Sequence, residues 1–485
     1  MPQENISSFI ALPYPISIGS DSPKVFYKPW VMPQSAENPK QHALHNRTQN
    51  GDTSMKAGRI VIYLLLFSGC SINYIDRVVL SVAATPIAHE FGLSTIQLGY
   101  LFSAFLWTYL VFVLPWGMLV DRIGTKRATA SGMALWSFAT VLTGFSGGFS
   151  TAILSRLLMG FGEASTYPAG ARTIREWMPA RERGFATTVF NCGGYAGPAI
   201  GSVLMGALIS AIGWRGGFYV SAIIGFTWVV VWLLVYRSPE KAPYISNTER
   251  AMILSQRGGS ADPSTAASLP ALLRCTSLWG LFIVQGCAVY TVYLFLSWLP
   301  SYLQAVHGLT VLKTGFYTAV PYAVAVPGTI CMGWLSDRLL RNAPIDSGRR
   351  RNMVAVLLLC SACILVTPLV TNTALVLALF SFSLTSIGST VGLNIALLSD
   401  LLPNPANTGR AHGFLVTGGN LFGVIAPIAT GYVVSITGSY NAAFVIAGLL
   451  LVLGATICLT MTRKPIAPAS PADAALLKST SGAKA

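Results

Sequence analysis

A chain of 485 residues with 53% hydrophobic and only 10% charged side chains falls far below the roughly 25% charge of a soluble domain. Its mean hydropathy of +0.59 makes lipid the solvent and excludes a water-soluble protein of this length. The net charge of +15 does not point to nucleic acid. The basic residues sit in short loops between apolar runs, where the positive-inside rule accounts for them.

Residues 1–54 are polar, rich in Pro, Ser, Asn and Gln, and lack a cleavable apolar core, so they read as a disordered cytoplasmic tail. Met55, with Lys56 and Arg59 behind it, would begin a conventional membrane protein equally well. Apolar runs of about 20 residues, each long enough to span as a helix, then recur twelve times. The first six cover 59–84, 96–118, 128–147, 150–171, 184–209 and 216–236, and form an N-terminal bundle over 55–236. A linker over 237–274 follows, punctuated by Pro239, Pro243, Asp262 and Pro263. Runs at 275–303, 314–336, 352–371, 374–399, 411–435 and 441–461 make a second bundle over 275–461. An Ala/Pro/Ser/Lys-rich tail closes the chain over 462–485. The expected fold is an all-α membrane protein of twelve transmembrane helices in two pseudo-symmetric six-helix bundles.

Loop charge sets the expected orientation. One set of loops holds Arg122, Lys126 and Arg127, then Arg172, Arg175, Arg181 and Arg183, then Arg237, Lys241, Arg250, Arg257 and Arg274, then Arg338, Arg341, Arg349, Arg350 and Arg351, and finally Arg410. The opposite set holds only Arg215 and Lys313. Both termini are therefore expected in the cytoplasm of a multi-pass protein of the cell inner (plasma) membrane.

An internal repeat supports the division into halves. WGMLVDRIG, with Gly117, Asp121 and Arg122, returns as MGWLSDRLL with Gly333, Asp337 and Arg338, an offset of 216 (333 − 117). Gly184, Phe185 and Pro198 align with Gly413, Phe414 and Pro427 at an offset of 229 (413 − 184). Like halves around a central site are a carrier architecture.

Against this apolar background, Asp76, Arg77, Arg156 and Glu163 lie inside spans. A charge at membrane depth costs several kcal/mol, so it persists with a partner, an aqueous cavity or a function. A guanidinium offers a bidentate fork to a carboxylate and stays charged. A carboxyl in low dielectric is disfavoured in its charged form and can carry a proton. Asp76 and Arg77 are adjacent and point about 100° apart on a helix, so they do not simply neutralise each other. Arg156 and Glu163 are seven residues apart, nearly on one face, which leaves Arg156 as either a structural or a proton-relay arginine. Tyr74 shares a face with Arg77. Tyr109, Tyr290, Trp298 and Asn420 are candidate cavity residues. All eight cysteines lie in or beside apolar runs and read as packing residues, so no metal site and no cofactor is expected.

GMLVDRIGTKR resembles the loop signature G-x-x-x-D-R-x-G-R-[KR]-[KR] of the major facilitator superfamily, matched here by Gly117, Asp121, Arg122, Gly124 and Arg127. NYIDRVVLSVA (Asn73–Ala83), SRLLMGFGEASTYPA (Ser155–Ala169) and YLFLSWLPSYL (Tyr293–Leu303) resemble the anion:cation symporter family within it, over roughly residues 59–461. That resemblance implies a proton-coupled importer of a sugar acid or other carboxylate, with Arg77 at the substrate carboxylate and Asp76 and Glu163 handling protons. It also implies that the Asp121 and Asp337 loops latch the cytoplasmic side. The expected partners are a small organic anion, protons and the lipid bilayer, and the chain is expected to act as a monomer. GGYAGPAIG (Gly193–Gly201) approaches the G-x-x-x-G-P-x-x-G-G signature of drug:proton antiporters, with Ser202 where the last glycine would stand. Proton-driven export of organic anions or drugs is thus the alternative. No G-x-x-x-x-G-K-[ST] loop is present, which argues against an ATP-driven pump, and no residue constellation points to an enzyme.

Overall fold

The structure, a computed structural model, describes residues 57–179, 182–256, 269–340 and 347–466. The expected tail over 1–54, residues 257–268 of the linker and residues 467–485 lie outside the described residues, as do Arg181, Arg257 and Arg341. Among the described residues every regular element is a helix.

In the first half these are α1 (Ala57–Val82), α2 (Ala84–Phe91), α3 (Thr95–Ile123), α4 (Thr125–Gly144), α5 (Phe149–Glu163), α6 (Thr166–Trp177) and α7 (Arg183–Val235). The linker contributes α8 (Asn247–Ser255) and α9 (Leu269–Leu273). The second half holds α10 (Thr276–His307), α11 (Val311–Leu340), α12 (Arg349–Ser361) with a 3-10 extension (Ala362–Leu369), α13 (Thr373–Leu401), α14 (Thr408–Thr437) and α15 (Asn441–Met461).

Nine described helices are long and apolar enough to cross a membrane. One of them, the 53-residue α7, breaks at Gly213, whose φ of +78° lies in the region that favours glycine. It therefore supplies two spans. The α4 helix and the α5–α6 pair supply the remaining two, giving twelve.

Prolines explain the other interruptions. Pro86 has no N–H for the Val82 carbonyl, so α1 and α2 part at Ala83, and Pro168 likewise leaves the Ala164 carbonyl free between α5 and α6. That second break falls directly after Glu163. Ser94 and Gln97 form a capping box that starts α3, with the Ser94 amide donating to Gln97 Oε1 at 2.9 Å.

Within each half, glycines let the helices close. Cβ atoms at Gly193 and Gly197 of α7 would stand 2.8 Å from the Phe67 carbonyl and 2.4 Å from the Ser71 carbonyl of α1. In the second half the corresponding pair is α10 with α14, where Gly418 meets the Phe282 carbonyl at 2.7 Å. A pseudo-equivalent polar tie recurs as well. Thr125 at the start of α4 donates to Glu176 at 2.9 Å, and Arg350 at the start of α12 donates to Asp400 at 2.5 Å.

The halves meet at the end opposite the basic loops. There α3 lies on α14, with Gly99 against the Pro427 carbonyl and the Ser103 hydroxyl donating to the Val424 carbonyl at 2.8 Å. The α7 and α11 helices also touch, where a Cβ at Gly206 would stand 3.0 Å from Gly315 Cα. At the basic end, Gly184, Gly333, Gly409 and Gly413 have no neighbour within 4 Å of a Cβ. This conformation is closed at one end of the molecule.

Two segments differ from expectation. Linker residues up to 256 pack onto the first half. The Tyr244 ring stacks on Trp177 at 5.7 Å, and Arg59 of α1 donates to the buried Glu249 of α8 at 2.8 Å. The second bundle continues past 461, since Ser277 donates to the Lys464 carbonyl at 2.6 Å and the Ile466 amide donates to the Leu401 carbonyl at 2.7 Å.

Candidate functional site

Midway along the α1–α2 rod, Arg77 is 5% exposed and faces the second half. Its Nε and Nη2 reach Glu163 Oε2 at 3.0 and 2.8 Å, a forked grip on one carboxylate oxygen. Its Nη1 donates to the Tyr293 hydroxyl of α10 at 3.0 Å, a hydrogen bond that joins the two halves. Three rings collar the guanidinium: Tyr74 at 4.6 Å, Phe105 at 4.8 Å and Tyr109 at 5.7 Å from Cζ. The Tyr74 hydroxyl lies 3.3 Å from that of Tyr167.

Glu163 is fully buried, and its Oε1 has no hydrogen-bond partner among the described residues. A carboxylate that spends one oxygen on Arg77 and leaves the other unpartnered is held, not saturated. The break behind it at Ala164 and Ser165 places it at the end of a helix rather than within one.

Asp76 points the other way, as the 100° separation requires. It is fully buried inside the first half, where Ser221 donates to Oδ1 at 2.6 Å and Trp136 Nε1 donates to Oδ2 at 3.1 Å. Arg156 is buried beside it, with Nη1 donating to the Asp76 carbonyl at 3.5 Å and Cζ 5.2 Å from the Phe105 ring. Its Nε has no partner among the described residues. Arg156 and Glu163 thus share a face without forming a direct ion pair.

The structure brings Arg77, Glu163, Tyr74 and Tyr109 together. Asn420 is half-buried on α14, three residues before Gly423, which lies against the Tyr293 ring. Trp298 stands apart from that group. It is buried between the halves, its Nε1 donating to the Pro427 carbonyl at 3.1 Å and its ring on Phe102 at 5.1 Å. Tyr293, Ser221 and Trp136 are site residues that sequence reasoning missed. Tyr293 opens the α10 motif, which was the available signal; the other two carry none.

The loop motif is built differently in its two copies. Asp121 has a side chain 77% exposed and forms an ion pair with Arg172, which also donates to Glu176 at 2.8 Å. Glu176 further accepts from Tyr236 at 2.8 Å. Gly124, at φ +82°, ends α3 and starts α4, while Arg122 and Arg127 are exposed. Gly117 has space around it, with Pro168 at 4.0 Å from a Cβ. In the second copy Gly333 is open, Asp337 is exposed, and Arg338 lies over the Trp334 ring at 5.4 Å.

Twelve spans in two similar halves, with a cluster of buried charge in the middle of the first, define a membrane transporter rather than an enzyme. The model of the Major Facilitator Superfamily matches residues 66–404 and again 345–483, and the chain belongs to that superfamily. It is 36% identical over 408 residues to the "Probable galactarate/D-glucarate transporter GudP" of Bacillus subtilis (strain 168), covering 80% of this chain and 89% of that protein. It is 30% identical to the "Probable L-galactonate transporter" of Escherichia coli (strain K12), over 85% of this chain and 91% of that one. The "Probable sulfoacetate transporter SauU" of Cupriavidus necator is 32% identical over 79% and 89% respectively. Among solved structures, a bacterial homolog of the human lysosomal transporter Spinster, inward-facing and occupied, shares the fold with a TM-score of 0.66 at 19% identity, over 86% of this chain and 98% of that one.

Proposed function

We propose that this protein is a proton-coupled secondary transporter that imports a small organic anion, a sugar acid or similar carboxylate, by alternating access. Its termini then lie in the cytoplasm of the inner membrane, and the state described here opens to the cytoplasm. The observation that carries the reading is Arg77, a buried guanidinium held by a carboxylate that is itself only half-engaged. Galactarate, glucarate, galactonate and sulfoacetate, named for the relatives, share an anionic head group, which one guanidinium in an aromatic collar suits.

The coupling follows from competition. An incoming carboxylate takes the place of Glu163 on Arg77. Glu163, released into low dielectric without its counter-charge, is then favoured in its protonated form. Anion binding and proton uptake therefore support each other, and departure of either on the far side promotes release of the other. Asp76, held by Ser221 and Trp136 away from Arg77, is the second acid. The glycines of the antiporter-like run pack against α1, which accounts for them without an export role.

The test is uptake of labelled sugar acids and aromatic acids into proteoliposomes under an imposed pH gradient. Acidification of the outer side should drive accumulation. Glu163→Gln and Asp76→Asn should keep anion exchange yet lose pH-driven accumulation. Accumulation by either variant equal to that of the unmutated protein would remove that residue from the coupling, and loss of labelled compound on outside acidification would favour export.

A further inference from the structure

Along α11, Thr314, Thr318 and Tyr322 follow one another at four-residue spacing and form one stripe of the helix. They are 0%, 2% and 1% exposed, and Ser202 on the facing helix α7 is 0% exposed. Gly315, beside Thr314, packs against the Ser202 carbonyl, where a Cβ would stand at 2.4 Å. The stripe therefore lies where the two halves meet at the closed end.

None of these four hydroxyls has a hydrogen-bond partner among the described residues. Threonines in membrane helices ordinarily satisfy themselves on the carbonyl four residues back. Thr329, Thr390 and Thr430 do so here at 2.8, 2.9 and 2.8 Å. Ser301 Oγ and Gln304 Nε2, in the last turns of α10 and joined to α11 by the short turn at Gly308, are likewise buried and unpartnered. The four hydroxyls along the α7–α11 contact are poorly explained as packing, because a buried donor left unmade is costly and apolar side chains would fill the same space.

At its inner end the stripe reaches the site. Inward of Ser202 on α7, Gly197 packs on Tyr74, whose Cβ would stand 2.8 Å from a methyl at that glycine. The Tyr195 hydroxyl would stand 2.5 Å from a Cβ at Gly388, so Tyr195 bridges from α7 to α13 of the second half. Tyr74 in turn lies over Arg77. The stripe itself carries no charged side chain, so it can bind hydroxyls and water without trapping an anion.

We propose that Ser202, Thr314, Thr318 and Tyr322 form a hydroxyl-binding subsite of the access path. In the opposite-facing conformation, when α7 and α11 part, they hydrogen-bond the hydroxyl-bearing body of the organic anion and pass it inward to Arg77. This rests on the anion-transport reading above and adds the segment of the protein that the substrate meets first.

The test combines hydroxyl deletion with accessibility. In proteoliposomes the Thr314→Val/Thr318→Val double variant should take up labelled galactonate about tenfold more slowly, the loss expected of one or two neutral hydrogen bonds. In detergent it should melt at a higher temperature than the unmutated protein, because the closed end no longer buries unpartnered hydroxyls. A Thr318→Cys variant should react with an impermeant thiol reagent from the outer side during turnover, above the background of the native cysteines. Full-rate uptake by the valine variant together with an unreactive Thr318→Cys variant would overturn the subsite alone. If the valine variant fails to fold, Thr318→Cys reactivity decides the matter. If the unmutated protein takes up no carboxylate, the transport reading and the ligand class both fall, whatever Thr318→Cys shows.

Discussion

Three glycines in one stretch of α7 meet α1 in different ways. A methyl at Gly197 would stand 2.4 Å from the Ser71 carbonyl and 2.8 Å from Tyr74 Cβ, and one at Gly193 would stand 2.8 Å from Cys70 Cβ. Neither neighbour is the free end of a flexible chain, so Gly197→Ala is overpacked and should cost about 1–3 kcal/mol. At Gly194 the nearest atoms are those of the Tyr74 ring at 3.4 Å, an ordinary contact. Gly194→Ala should therefore fold with stability within about 0.5 kcal/mol of the original. Its methyl nevertheless narrows the space beside a ring that lies over Arg77, so the KM for carboxylates should change. Thermal unfolding and uptake kinetics on the two variants separate these effects. An unchanged KM in Gly194→Ala would place this position outside the substrate's path.

At the scale of elements, helix α8 turns the linker from a tether into part of the first bundle. Ser246 caps it by accepting from the Glu249 amide at 3.1 Å, and Ile245 and Ile253 are buried beneath it. Arg59 joins three elements, donating to Glu249 and to Glu182, the residue before α7. Burial raises the Glu249 carboxyl above its ordinary range, with Arg59 opposing that rise. Arg59→Ala removes the opposition and should cost about 3–5 kcal/mol near neutrality, the range for breaking a buried pair. Because the folded form then binds a proton more readily than the unfolded chain, stability is retained at low pH and lost as pH rises through the folded value. The variant should consequently be less impaired at pH 5 than at pH 8 in thermal unfolding, and equal impairment at both would argue against Glu249 as the cause. Elements of this kind mark the limit of what the sequence makes legible. The spans are readable because about 20 apolar residues must bridge the bilayer, and Asp76, Arg77 and Glu163 stand out because charge is rare there. The partners of those charges are not readable. Tyr293 is 216 residues from Arg77, Ser221 is 145 from Asp76 and Glu249 is 190 from Arg59. Only packing brings them together, and a serine or tryptophan in an apolar run gives no hint of its role. Asp121 illustrates the same limit, since its motif is plain but its pairing with Arg172 depends on how α6 lies against α3.

Across the whole molecule, the two halves share an architecture but divide the chemistry. Among the described residues, the first half holds every ionisable acid and base of the central site: Asp76, Arg77, Arg156 and Glu163. The second half reaches Arg77 through the neutral Tyr293 hydroxyl, with Asn420 on the neighbouring helix. Since Arg77 and Tyr293 sit on opposite halves, rocking the halves apart strains or breaks their hydrogen bond, while Arg77–Glu163 lies within one half and travels as a unit. Proton binding should thus be governed by the first half alone, and substrate fit by contacts made across the gap. A hydrogen bond to a charged group contributes about 1.5–3 kcal/mol, so Tyr293→Phe should raise the KM for the transported anion about 10- to 100-fold. The variant keeps Glu163 and Asp76 in place, so the accumulation reached at a fixed pH gradient should match that of the unmutated protein once substrate is saturating. Glu163→Gln should show the reverse, with exchange intact and accumulation lost. Initial rates and plateau levels in the same proteoliposome preparation distinguish the two. A Tyr293→Phe variant that also loses the plateau would show that coupling depends on both halves.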